Sequence, residues 1–549
     1  MTCTSPPPFR CLGLFPGATP DACFDACVKD ADCAEATWAA DDGRCFTRTD
    51  GEWNLVAGAT AAVCDSTRVP HCAPTPPANG TLITATIADA PSGVTTHALS
   101  PGVTLDGWNV SQFPRWGVAS FLALDLADVK LRALATAIGP GILRLGGSPA
   151  DSILFDTDGT CVAGTGGDGP APNYFCSQVK PYIYGCLTPA RWEALLEFAN
   201  ATGLRIVFGV NACTGRLSNS TPMDFSNIRA LLEATAASPH RAVLVGLELG
   251  NEVVGTTISA TAWGTDAQTL RALADQVFGQ SVLFMGGPDG ASPTNARDAL
   301  GNASGAVQKL TYHHYPGCEP SGFYALDLTC LGIVENWGFL FSGVGLAAGA
   351  ATWAGETAEH GGGGVRNLTD TWSSSLYYAW QLASLGVTGV ELSARQALVG
   401  GDYGLLTNDG SFDPHPDFFV LWLFRALVGG GARGYAVDVN VPVNATGVRV
   451  FALDAATVVG TARVVVIVSL NVVGVSTRVR LAGALFSGPR TEWHMTGTPG
   501  VELAAVRCNG VLLSVGPAGE LPAWRGLGVA AAADSDVVVN AASVVFVAV

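Results

Sequence analysis

The sequence predicts an α/β chain: a (β/α)8 TIM barrel over residues 100–432, a C-terminal β-sandwich over 433–549, and a small disulfide-rich module over 1–72. Three observations predict it. Strand and helix signals alternate between about residues 100 and 432. After about residue 433 helical periodicity gives way to short strands separated by turn residues. Eight of the 15 cysteines lie between Cys3 and Cys72.

The elements follow in chain order. In residues 1–72, Cys11, Cys23, Cys27, Cys33, Cys45 and Cys64 dominate a stretch too small for a large core, so disulfides are expected to hold it. Zinc is the rival, but the spacings do not fit paired knuckles and His71 is the only histidine there. HCAPTPPANG reads as a linker, and residues 73–99 as linker plus strands joining the sandwich. GVTLD, ILRLGG, RIVFGVNA, VGLELGN, VLFMGGPD, KLTYHHY, ATWAGET and GVELSARQ are near-continuous apolar runs, as strands covered on both faces require. Between them LADVKLRALATAI, PARWEALLEFANA, FSNIRALLEATAA, DAQTLRALADQVF, DTWSSSLYYAWQLASL and HPDFFVLWLFRALV carry helical apolar spacing, with Thr188-Pro189 and Asp370 as helix starts. A doubly wound sheet is the structural rival, but neither Gly146-Gly147 nor Gly361–Gly364 matches a nucleotide fingerprint. GVRVFALDA, ARVVVIVSLNVV, STRVRLAG, GVLLSV and SVVFVAV read as the strands of the sandwich.

Composition narrows the function classes. The chain is 48% hydrophobic and 14% charged, which is a folded composition. A net charge of −17 disfavours nucleic acid and strongly anionic polymers. No apolar run of roughly 18 residues suggests a transmembrane segment. Sequons at Asn79, Asn109, Asn200, Asn219, Asn302, Asn367 and Asn444, beside the cysteine-dense module, point to a secretory route. MTCTSPPPFR shows neither the basic start nor the apolar stretch of a signal peptide. The odd cysteine count leaves one thiol over, and Cys508 is the candidate.

Chemistry concentrates on two glutamates. Glu252 follows the fourth strand and Glu356 ends the seventh, where a barrel of this kind carries its active site. Paired carboxylates across that rim are what glycosidic bond cleavage requires: an acid for the leaving oxygen and a carboxylate for the developing oxocarbenium ion. Glu252 fits the first role, with Asn251 beside it for a sugar hydroxyl, and Glu356 fits the second. Glu248 competes as a buried structural acid, Glu359 as a loop carboxylate and Glu391 as a residue below the rim. Arg144 and Arg395 are charges inside apolar strands, placed to keep a carboxylate ionised or to form structural ion pairs. His313 or Tyr315 would bond Glu356; a metal site is the alternative, but adjacent His313 and His314 point to opposite faces of a strand and no third ligand is spaced for it. Trp108 and Tyr403 are the candidates for stacking or hydrogen bonding, while Phe418 and Trp422 are spaced as helix core. No cofactor is expected.

DACFDACVKDADCAEATWAADDGRCF resembles the PAN/apple family of extracellular modules, which implies a glycan or protein ligand, or a spacer role. LRLGGSPADSILFD, RWEALLEFANATGLRIVFGVNACTGR, GLELGNEVVG, TYHHY, WAGETAEHGGGG and SARQALVGGDYGLLTNDGSFDPHPDFF together resemble the heparanase-like β-glucuronidases of glycoside hydrolase family 79, nearer the plant-type branch than animal heparanase. The resemblance spans roughly residues 80–549. It implies a retaining barrel with an appended β-sandwich, Glu252 as acid/base and Glu356 as nucleophile. By the same resemblance Asp106, Ser148 and Asn251 touch sugar hydroxyls, and His313 and Tyr315 are active-site partners. Gly362, Gly363, Gly401 and Tyr403 would bind the uronate carboxylate. Arg395 is expected among the substrate-binding residues from its charge in an apolar strand, not from the resemblance.

The departures also carry information. Ser292-Pro293-Thr294 stand where animal heparanase has an Arg after its fifth strand, PGCEPSG supplies no Arg after Tyr315, and no Lys cluster precedes the third helix. Sulfated heparan is therefore disfavoured. Glu359-His360 replace small residues. The sequence is thus expected to encode a retaining β-glucuronidase acting on small glucuronides or glucuronic-acid-containing glycans, in an extracellular or lysosome- or vacuole-like compartment. Another retaining glycosidase of the same clan and an inactive glycan-binding protein are the alternatives.

Overall fold

The computed structural model describes residues 35–39, 44–49, 52–55, 62–63, 81–108, 114–159, 176, 185–320, 325–454, 463–471, 476–484, 488–497 and 505–549. Within Met1–Thr75, four short strands, Glu35–Ala39, Arg44–Thr49, Glu52–Leu55 and Ala62–Val63, pair in order as an antiparallel meander. The cysteine pairing and the ligand expected for this module lie outside the described residues.

Eight parallel strands close into a barrel: β1 (Gly102–Asp106), β2 (Gly141–Gly146), β3 (Leu204–Val210), β4 (Leu244–Leu249), β5 (Phe284–Gly286), β6 (Lys309–His314), β7 (Ala351–Thr357) and β8 (Val390–Arg395). Closure is made where β8 pairs with β1, Arg395 opposite Val103. Strand alternation sorts the side chains. Val103, Leu105, Leu143, Leu145, Leu310 and Tyr312 face the helices in the large core, while Ile142, Val207, Trp353, Leu392 and Ala394 fill the lower barrel interior. Above that apolar plug the interior turns polar: Thr104, Arg144, Glu248, Thr311 and His313 come from the upper halves of their strands. The site is therefore a polar cap on a closed hydrophobic floor.

Eight helices wrap the barrel: α1 (Val129–Ile138), α2 (Pro189–Thr202), α3 (Ser226–Ala237), α4 (Ala260–Phe278), α5 (Pro293–Asn302), α6 (Leu328–Ala348), α7 (Trp372–Ser384) and α8 (Pro416–Leu427). Most begin on a side-chain cap: Asp128, Thr188, Ser259, Ser292, Asp327 and Thr371 each accept a backbone N–H of the first turn. Thr371 is the cap of α7, one residue beyond the Asp370 expected from sequence. Two helices escape the periodicity reading. The short α5, PTNARDALGN, buries only Ala296, Ala299 and Leu300. In α6 apolar residues and glycines occupy every face, so no stripe stands out. Helix α6 is long and apolar enough by composition to cross a membrane. In this fold it packs as a barrel helix, stacking Phe341 on Tyr312 and Trp337 on His314.

Ile153–Phe155 and Gly185–Leu187 pair as a separate two-stranded parallel sheet, and the remaining described strands, with Leu82–Thr95, form one eleven-stranded sheet. Leu82–Thr95 pairs with Arg433–Val439 on one side and Thr477–Ala482 on the other. The sheet curls so that Ile83, Val450, Ile467, Val479, Val537 and Val545 share one core, while the alternate residues Phe451, Val466, Val468, Val544 and Phe546 join the barrel core. Phe546 meets Phe424 of α8, and Phe451 meets Trp380 of α7. Trp372, 2% exposed, donates its indole N–H to Ala542 O at 2.6 Å and closes this junction. Trp372→Ala empties an indole-sized volume there and is expected to cost about 3–5 kcal/mol, read as a lower urea midpoint with the barrel and sheet still unfolding together.

Candidate active site

The polar cap is organised by Arg144, 2% exposed near the end of β2. Its Nε donates to Glu248 Oε2 at 2.7 Å and its Nη1 to Glu356 Oε2 at 3.0 Å. Its Nη2 donates to Asn251 Oδ1 at 3.0 Å and to Asp289 Oδ2. One planar fork thus ties four groups from three segments of the rim: β4 with its loop, the turn after β5, and β7. Burial would lower its proton affinity, but Asp289, Glu248 and Glu356 raise it well above the ordinary value, so Arg144 is a fixed cation. Burial pushes Glu248 up to about 7, with Asp289 adding and Arg144 opposing. Burial works the same way on Asp289, yet Arg144 and then His313 override it and hold that carboxyl well below the usual range.

Glu356 reaches the interior through an irregularity in β7. Tyr312 lies opposite Ala354 but His313 lies opposite Glu356, so Gly355 is an extra residue in the ladder. Trp353 points inward and Ala354 outward; the bulge turns Glu356 inward again. A side chain at Gly355 would sit 3.2 Å from Asp289 Oδ1 and from Thr311. The Tyr315 hydroxyl donates to Glu356 Oε1, completing a carboxylate held from both sides. Glu252 enters from the loop after β4 with φ 54° and its side chain 43% exposed. His313 lies between the two glutamates: Nδ1 is 2.7 Å from Glu252 Oε1 and Nε2 is 3.6 Å from Glu356 Oε2.

A second group lines the β1, β7 and β8 side. Asp106 ends β1; its Oδ2 accepts from Gln396 Nε2 at 2.8 Å and from Trp108 Nε1 at 2.9 Å, while Oδ1 is buried with no protein partner among the described residues. Burial and then the charge of Glu356 push Asp106 up to about 7. Gln396 also donates to the Tyr403 hydroxyl at 3.1 Å. Tyr403 is 2% exposed and packs edge-on against Trp116, which stacks on Trp108; only Trp108 of the three keeps part of its surface open. Ser148 stands in a short 3-10 turn after β2, with Asn251 Nδ2 3.5 Å from its Oγ.

Gly362, Gly363, Gly364 and Gly401 take φ of 63°, 94°, 82° and 61°. A Cβ on Gly401 would lie 2.6 Å from Gly363 O, so only glycine lets the two loops interlock. Arg115 clamps the pair from outside, donating to Gly362 O at 2.9 Å, Gly364 O at 2.6 Å and Asp402 Oδ2 at 2.9 Å. Gly361 abuts the Tyr315 ring, which places this glycine loop beside Glu356.

The structure thus brings Glu252, Glu356, Asp106, Ser148, Asn251, His313, Tyr315, Gly362, Gly363, Gly401 and Tyr403 to one end of the barrel. Arg395 is the correction. It faces outward from β8, fully buried, donating to Asp417 Oδ2 of α8 at 2.6 Å and to Ser374 Oγ at 2.9 Å. The inward position is Gln396, one residue on, and strand parity counted from Leu392 and Ala394 would have found it. His314 faces the helices, where burial drops it to about 3. Glu359 is fully buried rather than in an open loop, and burial holds its carboxyl well above the usual range. Glu391 pairs with Lys309 at 2.7 Å near the floor. Asp289 and Arg115 were not singled out from sequence; the terminal Asp of VLFMGGPD carried the only signal for the first. Cys176–Cys213 and Cys318–Cys330 are disulfides, and Cys508 is free and buried. The sequon residues Asn200, Asn219, Asn302, Asn367 and Asn444 are all exposed, as a glycan attachment site must be.

Residues 102–383, more than half of the chain, match the family described as glycosyl hydrolase family 79, N-terminal domain. Heparanase-like protein 3 of Arabidopsis thaliana is 26% identical over 478 residues, spanning 76% of this chain and 84% of that protein. Baicalin-beta-D-glucuronidase of Scutellaria baicalensis is 26% identical over 462 residues, with the same shares. Among solved structures, a 4-O-alpha-L-rhamnosyl-beta-D-glucuronidase from Fusarium oxysporum superposes with a TM-score of 0.57 over 85% of this chain and 100% of that one; at 13% identity the likeness is one of fold.

The raised carboxyls set a pH dependence of stability. Asp106 and Glu248 move from ordinary values of 3.8 and 4.5 to about 7 on folding, so the folded state binds more protons between those limits. The stability this contributes is full below about pH 4 and is lost as pH rises through about 7. Thermal unfolding temperature is expected to fall between pH 5 and pH 8, and Asp106→Asn to flatten that slope.

Proposed function

The chain belongs to glycosyl hydrolase family 79 and is a glycoside hydrolase; on that premise we propose that it is a retaining β-glucuronidase. The observation that carries the reading is the single imidazole of His313 lying against both Glu252 and Glu356. It supports a close carboxylate pair, which is the arrangement of double displacement.

Glu356 is the nucleophile. Arg144 and the Tyr315 hydroxyl hold its two oxygens, so the carboxylate meets C1 of the sugar charged and fixed in direction. Glu252 is the acid/base, protonating the glycosidic oxygen and then taking a proton from the water that opens the glycosyl ester. Asp106, Ser148 and Asn251 receive sugar hydroxyls; the open Oδ1 of Asp106 supports this. The uronate carboxylate lies on the backbone N–H groups of Gly362 and Gly363, beside Tyr403 and the glycine-loop clamp of Arg115. Positive-φ glycines in succession present N–H groups to an anion without needing a lysine. The name of the Scutellaria relative, a baicalin-beta-D-glucuronidase, accords with a glucuronide substrate. A net charge of −17 and the absence of the expected Arg and Lys positions direct the substrate to glucuronides or glucuronic-acid glycans that are not heavily sulfated. An extracellular or lysosome- or vacuole-like location, and a glycan or protein ligand for the N-terminal module, complete the proposal.

Glu356→Ala is expected to abolish hydrolysis of 4-nitrophenyl β-glucuronide, with azide restoring turnover as the α-glucuronyl azide. Glu252→Ala should lose about 10²–10⁴-fold on substrates whose leaving group needs a proton. Wild-type protein should cleave the β-glucuronide far faster than the matching β-glucoside. Full activity in either variant, or a preference for the glucoside, removes the assignment.

A further inference from the structure

Asp289 has no sugar-facing role in the reading above, yet its carboxylate is fully buried in the middle of the site. Its Oδ1 lies 2.7 Å from His313 Nε2, and its Oδ2 accepts from Arg144 Nη2. His313 Nδ1 lies 2.7 Å from Glu252 Oε1. An unbroken chain of contacts therefore runs Glu252, His313, Asp289, Arg144, Glu356. Gly290 makes the Glu252 end possible: at φ 67° a Cβ there would sit 2.4 Å from the Glu252 side chain and 3.0 Å from His313 Nδ1.

We propose that Asp289 and His313 are a positioning pair for Glu252: Asp289 holds His313 as an imidazolium whose Nδ1–H grips Glu252 Oε1, so that Oε2 carries the proton given to the leaving group. The inference rests on the reading of Glu252 as acid/base. Both ring nitrogens of His313 lie at hydrogen-bond distance from carboxylate oxygens; an imidazolium donates to both while the Glu252 proton stays on Oε2, whereas a neutral ring would draw that proton onto Oε1. The groups around the ring are Glu252 and, at longer range, Glu248 from the β4 side, Asp289 after β5, and Glu356 of β7. Arg144 of β2 reaches the ring through Asp289. Burial disfavours the charged ring, but Asp289 and Glu356 overcome it and raise its proton affinity well above the ordinary value.

The reaction balances around this pair. In the first step the Oε2 proton passes to the glycosidic oxygen as the C1–O bond breaks and its electron pair leaves with that oxygen. A Glu356 oxygen forms the new bond to C1. Glu252 becomes an anion, and the imidazolium already bonded to Oε1 compensates it. In the second step water attacks C1, Oε2 takes a proton from that water, and the ester electron pair returns to Glu356.

Both substitutions act on Glu252 through the same imidazolium, which separates this role from simple support. Asp289→Asn takes away the charge that keeps His313 protonated, and His313→Gln takes away the ring; in either variant Glu252 keeps its proton to higher pH. The test is kcat/KM against pH for the full chain on an alkyl β-glucuronide, comparing wild type, Asp289→Asn and His313→Gln. The alkaline limb is expected to move about one pH unit to higher pH in both variants. On 2,4-dinitrophenyl β-glucuronide, whose leaving group needs no proton, the first step should change little in either variant. Limbs that stay put, or move to lower pH, overturn the pair. If Asp289→Asn does not fold, the direction of the His313→Gln shift decides alone. Glu252→Ala in the same assays judges the underlying reading separately: loss on the alkyl substrate with retention on the dinitrophenyl one upholds it, and retention on both removes it.

Discussion

A single guanidinium in the mouth of the barrel sets the terms for everything around it. Arg144 spends Nε on Glu248, Nη1 on Glu356 and Nη2 on Asp289 and Asn251. Its fork is planar and rigid, so the ends of β4 and β7 and the turn after β5 must reach that plane to within hydrogen-bond tolerance. A lysine would satisfy the charge but not the three directions. Buried ion networks are weak devices for stability, because desolvation consumes most of the Coulomb gain. Their use here is to fix geometry: the carboxylates sit on different walls of the barrel, and one side chain makes their spacing common.

Charge balance follows from the same network. With Glu248 and Asp106 held neutral by burial, Arg144 and His313 face Asp289 and Glu356, two cations against two anions. Above about pH 7 both neutral acids ionise and the cluster gains two negative charges in a region closed off from water. Asp106 has an Oδ1 with no protein partner among the described residues and a proton affinity raised to about 7, so on the proposed reading it can donate to a sugar hydroxyl below that pH and accept from one above it.

How much of this was readable from the sequence depends on which physical rule set each position. The eight strands were legible because burial on both faces writes them as apolar runs, and Glu252 and Glu356 because they interrupt such runs at the rim. Arg144 was legible as a charge in an apolar strand. Arg395 was equally conspicuous and pointed the other way, since the same rule holds for an ion pair behind the barrel wall. Alternation from Leu392 and Ala394 separates Arg395 from Gln396, but alternation from Trp353 places Glu356 outward; only the Gly355 bulge reverses it, and no local pattern announces that bulge. Asp289 and Arg115 belong to loops whose partners are far away in sequence. Helix α6 was missed for a different reason: with glycines and apolar residues on every face it has no stripe to read.

The two glutamates are held very differently, and the difference bears on what each can do. Glu356 is 8% exposed, fixed by Arg144 and Tyr315, and lies on β7, against which α6 packs and whose last residue, Thr357, is hydrogen-bonded to Gln381 of α7. Glu252 sits beyond its strand in a left-handed turn, far more exposed, with His313 and a glycine at its back. A nucleophile must meet one carbon along one line, and an angstrom of freedom there costs rate. A proton donor must meet leaving groups of many shapes from a set direction. On the proposed assignment of roles, rigid packing behind Glu356 and the His313 contact at Glu252 Oε1 divide the site accordingly. The sugar would then meet the side locked by the barrel, and the aglycone the side carried on a loop.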